Sequence, residues 1–225
     1  MNYACVNGGG QHSVVCVDIP LVLEQESAVS GSARQALALW SLRVGESITL
    51  RDCNQCWFRA RSCRLDNEGV TILPFEVIDV PESPIEICVF QALPSNERFE
   101  LVVQKLTEIG VTHIVPFVSQ RSLTLEARDA EQQKSHRWTE VILKAAKQCQ
   151  RGLLPELAPV RQWDDVYSEL SAWDVKVLLD EQGRGWSLAD GIGGGRPTRI
   201  AIVVGPEGGF DRDEVELAQQ HGVVP

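Results

Sequence analysis

The stretch Ile200-Ala201-Ile202-Val203-Val204-Gly205-Pro206-Glu207-Gly208-Gly209-Phe210 constrains this chain more than any other. Consecutive apolar residues leave no polar face for solvent, so residues 200–204 suit a strand of a parallel sheet covered on both sides. The strand runs straight into glycine and proline, then into a helix over 212–221 with Asp211 as cap and Glu214 completing a capping box. In open α/β sheets, ligands bind beyond the carboxyl ends of the strands, where loops offer free backbone groups. Glycine lets a backbone approach a flat ligand because no Cβ intervenes. The stretch therefore predicts a small-molecule site, with adenine or phosphate as candidate ligands. A sharp structural turn accounts for the same residues without a ligand.

Upstream, strands and helices alternate from Ile85 onward, which predicts an α/β domain over residues 85–225. Residues 85–92, His113–Val118 and Val175–Leu179 read as strands. Asn96 is placed to cap a helix whose stripe carries Phe99, Val102, Val103, Leu106 and Ile109, ended by Gly110. A helix over 136–149 gathers Trp138, Val141, Ile142, Ala145 and Cys149, and a shorter one carries Trp163, Val166, Tyr167 and Leu170. Gly191-Ile192-Gly193-Gly194-Gly195 follows no strand and is closed by Pro197, so it reads as a surface connection.

Pro81-Glu82-Ser83-Pro84 reads as a short stiff linker. Before it, residues 1–80 predict a small β domain. Ser47–Arg51, residues 56–64 and residues 70–77 are its strands, joined by turns at Asp52-Cys53-Asn54-Gln55 and Asp66-Asn67-Glu68-Gly69. On the middle strand Phe58, Ala60 and Ser62 share one face, while Trp57, Arg59 and Arg61 share the other. The second face is either an RNA contact, combining guanidinium groups with an aromatic ring, or a solvated surface.

The net charge of −10 excludes nonspecific nucleic-acid binding driven by overall charge, leaving only a local basic face. No apolar run approaches a membrane span, and MNYACVNGGGQHSV is no secretory signal, so no membrane is expected and the cytoplasm is the expected compartment. The seven cysteines are then reduced thiols. Cys53-Asn-Gln-Cys56 has half of a zinc spacing without a second pair, and no metal is expected.

Four motifs lie in order along the α/β half. Gln104-Lys105-Leu106-Thr107-Glu108-Ile109-Gly110-Val111 resembles "QKxTELGV", and Ser119-Gln120-Arg121-Ser122 resembles "SERS". Arg137-Trp138 with Ala145-Ala146-Lys147-Gln148-Cys149-Gln150-Arg151 and Pro155 resembles "RW…EAxEQxxR…P", and Gly205-Pro206-Glu207-Gly208-Gly209-Phe210 with Glu214 completes the set. Together they resemble the RsmE-type uridine-N3 methyltransferases of the SPOUT (trefoil-knot) class, which act on small-subunit (16S) ribosomal RNA. The resemblance implies a PUA-like RNA-binding β-barrel over 1–80, a knotted SPOUT domain over 85–225, S-adenosylmethionine as cofactor, and a homodimer. It assigns the cofactor loops to Leu178, Leu179, Asp180 and Glu181, and to Val204, Gly205, Pro206, Glu207, Gly208 and Gly209. Arg121 and Arg151 become the cations beside the uridine, with Gln148 available to hold the base, and Arg43, Arg59 and Arg61 become RNA contacts. Gly208→Val is expected to block the cofactor.

The sequence departs from that family at two places. Ser41 stands where an arginine is expected in the stretch ending Leu42-Arg43-Val44-Gly45-Glu46, whose histidines are missing. The family's "LGxRILRxETA" segment, which forms the third cofactor loop and completes the knot, would lie beyond Pro225. Val223-Val224 reads as the start of a buried strand, so the native protein is expected to continue and a chain ending here to bind the cofactor poorly. Two other readings remain: an RNA-binding paralogue without turnover, and a nucleotide-binding α/β enzyme using residues 205–209.

Overall fold

The computed structural model of the protein describes residues 9–66, 69–130, 137–180 and 195–224. Its first sheet is antiparallel and four-stranded, in the order β1-β4-β3-β2, from β1 (Ser27–Val29), β2 (Ser47–Arg51), β3 (Trp57–Leu65) and β4 (Val70–Ile78). The free edge of β2 is taken up by the chain around Cys16: Arg51 N donates to Val15 O and Val17 N to Arg51 O, both at 2.9 Å. Between β1 and β2 lies α1 (Gly31–Leu39), which the sequence reading did not anticipate. Its signal is Ala33, Ala36, Leu37 and Trp40 at helical spacing, all buried.

The second sheet is parallel, in the order β7-β6-β5-β10-β9, with β8 also paired to β6. It comprises β5 (Glu86–Ala92), β6 (His113–Val118), β7 (Glu156–Leu157), β8 (Arg161–Gln162), β9 (Val175–Leu179) and β10 (Arg199–Val204). As the unbroken apolar run of β10 requires, both faces are covered. Ala201 and Val203 pack with α5 (Trp163–Leu170) and α6 (Arg212–Gln220), while Ile202 and Val204 turn toward α2 (Asn96–Glu108) and α4 (Trp138–Gln148). The short α3 (Leu125–Ala130) follows β6. Beyond α6, Val224 makes a parallel bridge to Val177, so the strand read at Val223-Val224 begins alongside β9. Among the described residues no helix is long and apolar enough to cross a membrane.

Two details of α2 differ from expectation. Its N-cap is Ser95 rather than Asn96, and Ile109 is 71% exposed because the helix has already ended at Glu108. Thr107 takes the buried place instead, its hydroxyl donating to Val103 O at 2.8 Å.

One continuous cluster of buried side chains runs through both sheets, from Leu50, Phe58 and Ile72 to Phe99, Ile114 and Ile142. The seam is fastened by residues 147–154. Thr49 donates to Gln150 O at 2.9 Å, Lys147 Nζ reaches Glu46 at 2.6 Å, and Leu154 N donates to the Ser13 hydroxyl at 2.8 Å. Gly152 lies so near Trp57 that a Cβ there would come within 2.8 Å of the indole. This seam overturns the reading of Arg59 as an exposed RNA contact. It pairs across the ladder with Thr49, which faces Gln150, and is only 7% exposed; burial lowers the guanidinium pKa, opposed by Glu76.

Candidate active site

All strands of the second sheet run parallel, so the segments leaving β6, β9 and β10 emerge on one edge. The segment after β10 closes a turn in which Gly209 N donates to Pro206 O at 2.9 Å, with Gly209 at φ +67°. Phe210 is buried beneath the loop, 5.4 Å from the Trp163 ring, which itself stacks on Phe117 at 5.0 Å. Gly205 sits on that aromatic stack: a Cβ there would come within 2.9 Å of the Phe210 ring. The tight position is thus Gly205. A Cβ on Gly208 would meet Arg121 at an ordinary 3.6 Å, so the protein itself leaves room there, and Gly208→Val would act only through a ligand on the loop.

The turn after β6 is bound to this loop. Arg121 Nη1 donates to Gly208 O at 3.1 Å and Nη2 to Asp211 at 2.9 Å, across 87 and 90 residues of chain. The Asp213 backbone N–H, followed by the Arg121 guanidinium, holds the Asp211 carboxyl below the ordinary carboxylate range. Glu214, 2% exposed, joins the same pieces: one carboxylate oxygen accepts from Gln120 N and the other from Asp211 N, each at 2.9 Å. On its other side the loop is tied to α2 by Arg98 and Glu207 at 2.6 Å.

Between these segments lies a cavity of about 530 Å³ lined by Arg121, Asp180, Phe210, Arg212, Val215 and Glu216. It has an apolar wall in Phe210 and Val215, which suits a flat ring, and a rim of mixed charge in which Arg212 pairs with Glu216 at 3.1 Å beside Arg121 and Asp180. Asp180 reaches it directly from the end of β9; Leu178 is buried in the sheet and Leu179 is 56% exposed. Glu181 lies outside the described residues.

A model of the RNA methyltransferase domain matches residues 81–225 of this chain. The chain belongs to the RNA methyltransferase family. It is similar to the ribosomal RNA small subunit methyltransferase E of Bacillus subtilis (strain 168), 29% identical over 192 residues, covering 81% of this chain and 75% of that protein. A methyltransferase of Legionella pneumophila, solved in complex with bound SAM, superposes with a TM-score of 0.60 at 28% identity, over 94% of this chain and 86% of that one. The ribosomal RNA small subunit methyltransferase E of Neisseria gonorrhoeae, bound to S-adenosyl methionine, has the same fold, with a TM-score of 0.60, 24% identity and coverage of 93% and 86%.

In this RNA methyltransferase the remaining sequence-predicted residues lie apart. Arg151 is 5% exposed, and all three guanidinium nitrogens are engaged: Nε and Nη2 with Glu82, Nη1 with Thr107 O at 3.2 Å and Val111 O at 2.6 Å. Val111 precedes β6 and Arg121 follows it, so a six-residue strand, roughly 20 Å at 3.3 Å per residue, separates them. Arg151 is therefore a clamp on the linker, not a partner of Arg121. Gln148 is exposed on α4, in the groove facing Gln104 and Lys105 of α2. Arg43 and Arg61 are both exposed; Arg43 O accepts from the hydroxyl of Ser62, which leaves β3 on the face opposite Arg61.

Sequence reasoning missed Glu82 and the second role of Glu214. Glu214→Gln replaces one acceptor by an NH₂ facing a backbone N–H, and is expected to cost about 1.5–3 kcal/mol in urea denaturation. An unchanged midpoint and slope would show that the carboxylate is not holding the Gln120 turn.

Proposed function

We propose that the chain transfers a methyl group from S-adenosylmethionine to N3 of a uridine in small-subunit ribosomal RNA. The observation that carries this reading is the convergence of Arg121, Asp180 and Phe210 around one cavity, where the 205–209 loop is pinned from two sides. S-adenosylmethionine supplies a methyl group already activated on a sulfonium. The Phe210–Val215 wall receives the flat ring, with the Asp180 carboxylate at the end of β9 on the same cavity. Arg121, 49% exposed at its side chain, presents a fixed cation beside the base, which favours the uridine imide anion over its protonated form. The protein's share of the chemistry is to place the base and to stabilise the imide anion left when the N3 proton passes to solvent.

The antiparallel sheet supports a PUA-like RNA-binding domain over 1–80, and the parallel sheet with its helices a SPOUT domain over 85–225. The exposed Leu101 on α2 and Ile109 just past its end support a homodimer through the α/β domain. With Arg59 buried, the RNA-contact reading passes to Arg43 and Arg61. Arg43→Glu with Arg61→Glu is expected to weaken RNA binding and flatten its log–log salt slope by about two units, with cofactor affinity unchanged. An unaltered slope would make that face a solvated surface.

The test of the function is methyl transfer to purified small-subunit RNA, with digestion to nucleosides and mass detection of 3-methyluridine. Formation dependent on S-adenosylmethionine and on Arg121 supports the reading. Cofactor binding without product favours a paralogue without turnover, and binding of ATP alone a nucleotide-binding enzyme.

A further inference from the structure

A second cavity, of about 540 Å³, opens where β5, β6 and β7 begin, at the edge of the sheet opposite the candidate active site. Phe90, Val115 and Leu157 supply an apolar lining, and His113, Glu156 and Arg161 are among its polar groups. Its size is that of a small-molecule site.

The hydrogen bonds around His113 define what it offers. The Thr112 hydroxyl donates its one proton to Ile87 O at 2.9 Å and accepts from Ile87 N at 3.0 Å. It lies 2.9 Å from His113 Nδ1, and in the tautomer that keeps the hydroxyl proton on Ile87 O, Nδ1 carries the ring proton and Nε2 is an acceptor. Burial pushes the His113 pKa down, outweighing Glu156 and Glu86, and favours this neutral form. Nε2 sits 3.7 Å from the Glu156 carboxylate, so in that tautomer two acceptors stand side by side. Arg161 does not relieve Glu156, because it is engaged with Glu169 at 2.5 Å. Trp173 meets the His113 ring edge to face at 5.5 Å and bears the Arg199 guanidinium 4.6 Å from its own ring centroid, which fixes that side of the cavity.

We propose that this cavity binds a guanine-type base, whose edge carries a ring N–H beside an exocyclic NH₂. Those adjacent donors satisfy His113 Nε2 and Glu156 together, while the ring lies against the apolar lining. Adenine offers an amine beside a ring acceptor, and uracil an N–H between two carbonyls. Each would turn an acceptor toward His113 or Glu156.

The test uses the full chain, titrated calorimetrically with guanosine, adenosine and uridine, and with guanine-bearing and guanine-free trinucleotides. Binding of guanosine in preference to the other nucleosides is expected, with a shift of the His113 Nε2 resonance in nitrogen-15 spectra. Preference for the trinucleotide over guanosine would identify a base within RNA as the source, and the reverse a free nucleoside. Glu156→Gln, at a side chain 56% exposed and so without risk to folding, is expected to weaken guanosine binding about 10-fold or more. Equal binding of all nucleosides, no binding of guanosine, or no effect of Glu156→Gln would overturn the proposal. Binding of Zn²⁺ at His113 without any response to guanosine would also overturn it, reassigning the pair to a metal. S-adenosylmethionine affinity should not respond to Glu156→Gln, so failure here leaves the methyltransferase reading standing.

Discussion

Arg151→Met is expected to destabilise the protein by about 3–5 kcal/mol, because it removes one half of a buried ion pair and strands the other. The Arg151 side chain is 4% exposed and that of Glu82 14%. Glu82 also accepts from Gly152 N at 2.8 Å and Leu153 N at 3.2 Å, so its carboxylate holds the linker against the very segment that packs on Trp57. Methionine fills the volume but leaves Thr107 O and Val111 O without their donor. For a chain of this length the melting temperature should fall by about 10 °C or more. Glu82→Gln should show a smaller loss, and the double variant less than the sum of the two, since a charge is no longer stranded. Scanning calorimetry on the three variants decides it. Had Arg151 been the cation beside the uridine, the variant would melt like the parent and fail only in methyl transfer.

Gly205→Val is expected to lower S-adenosylmethionine affinity by at least about 100-fold, the scale on which a displacement of about 1 Å in a binding element acts. The first carbon of the new side chain would stand 2.9 Å from the Phe210 ring, so the loop or the ring must move. Phe210 is wedged against Trp163 and lines the candidate pocket, which leaves the loop to give way. Overpacking of this kind costs roughly 1–3 kcal/mol, so the variant should remain folded at room temperature. Gly208→Ala is the control: among the described residues its Cβ meets only Arg121, at 3.6 and 3.7 Å, and affinity should change by no more than a few-fold. Calorimetric titration compares them. Parent-like affinity in a folded Gly205→Val protein would remove the 205–209 loop from the cofactor site.

What could be read in the sequence was local. The unbroken apolar run of β10 specified a strand covered on both faces, and Asp211 with Glu214 specified the start of α6, because periodicity and capping involve residues within a few positions of one another. The glycine-rich turn marked the candidate site for the same reason. The motif around Arg121 and the assignment of Asp180 to a cofactor loop were made separately, and neither placed the two residues at one cavity.

Only the tertiary structure decided which charged residues are exposed. Alternation along β3 put Arg59 and Arg61 on one face, but the ladder with β4 shifts register between Arg59 and Ala60, and the 150–152 segment packs on the neighbouring Trp57 and Thr49, so Arg59 is buried and Arg61 is left in solvent. Arg151 and Arg121 are indistinguishable as residues in a motif. One is spent on Glu82, 69 positions away, and the other is carried 87 positions to Gly208 at the mouth of a cavity. A guanidinium's role depends on which acceptors and which solvent surround it, and those neighbours are brought together by packing between distant segments rather than by the order of residues around it.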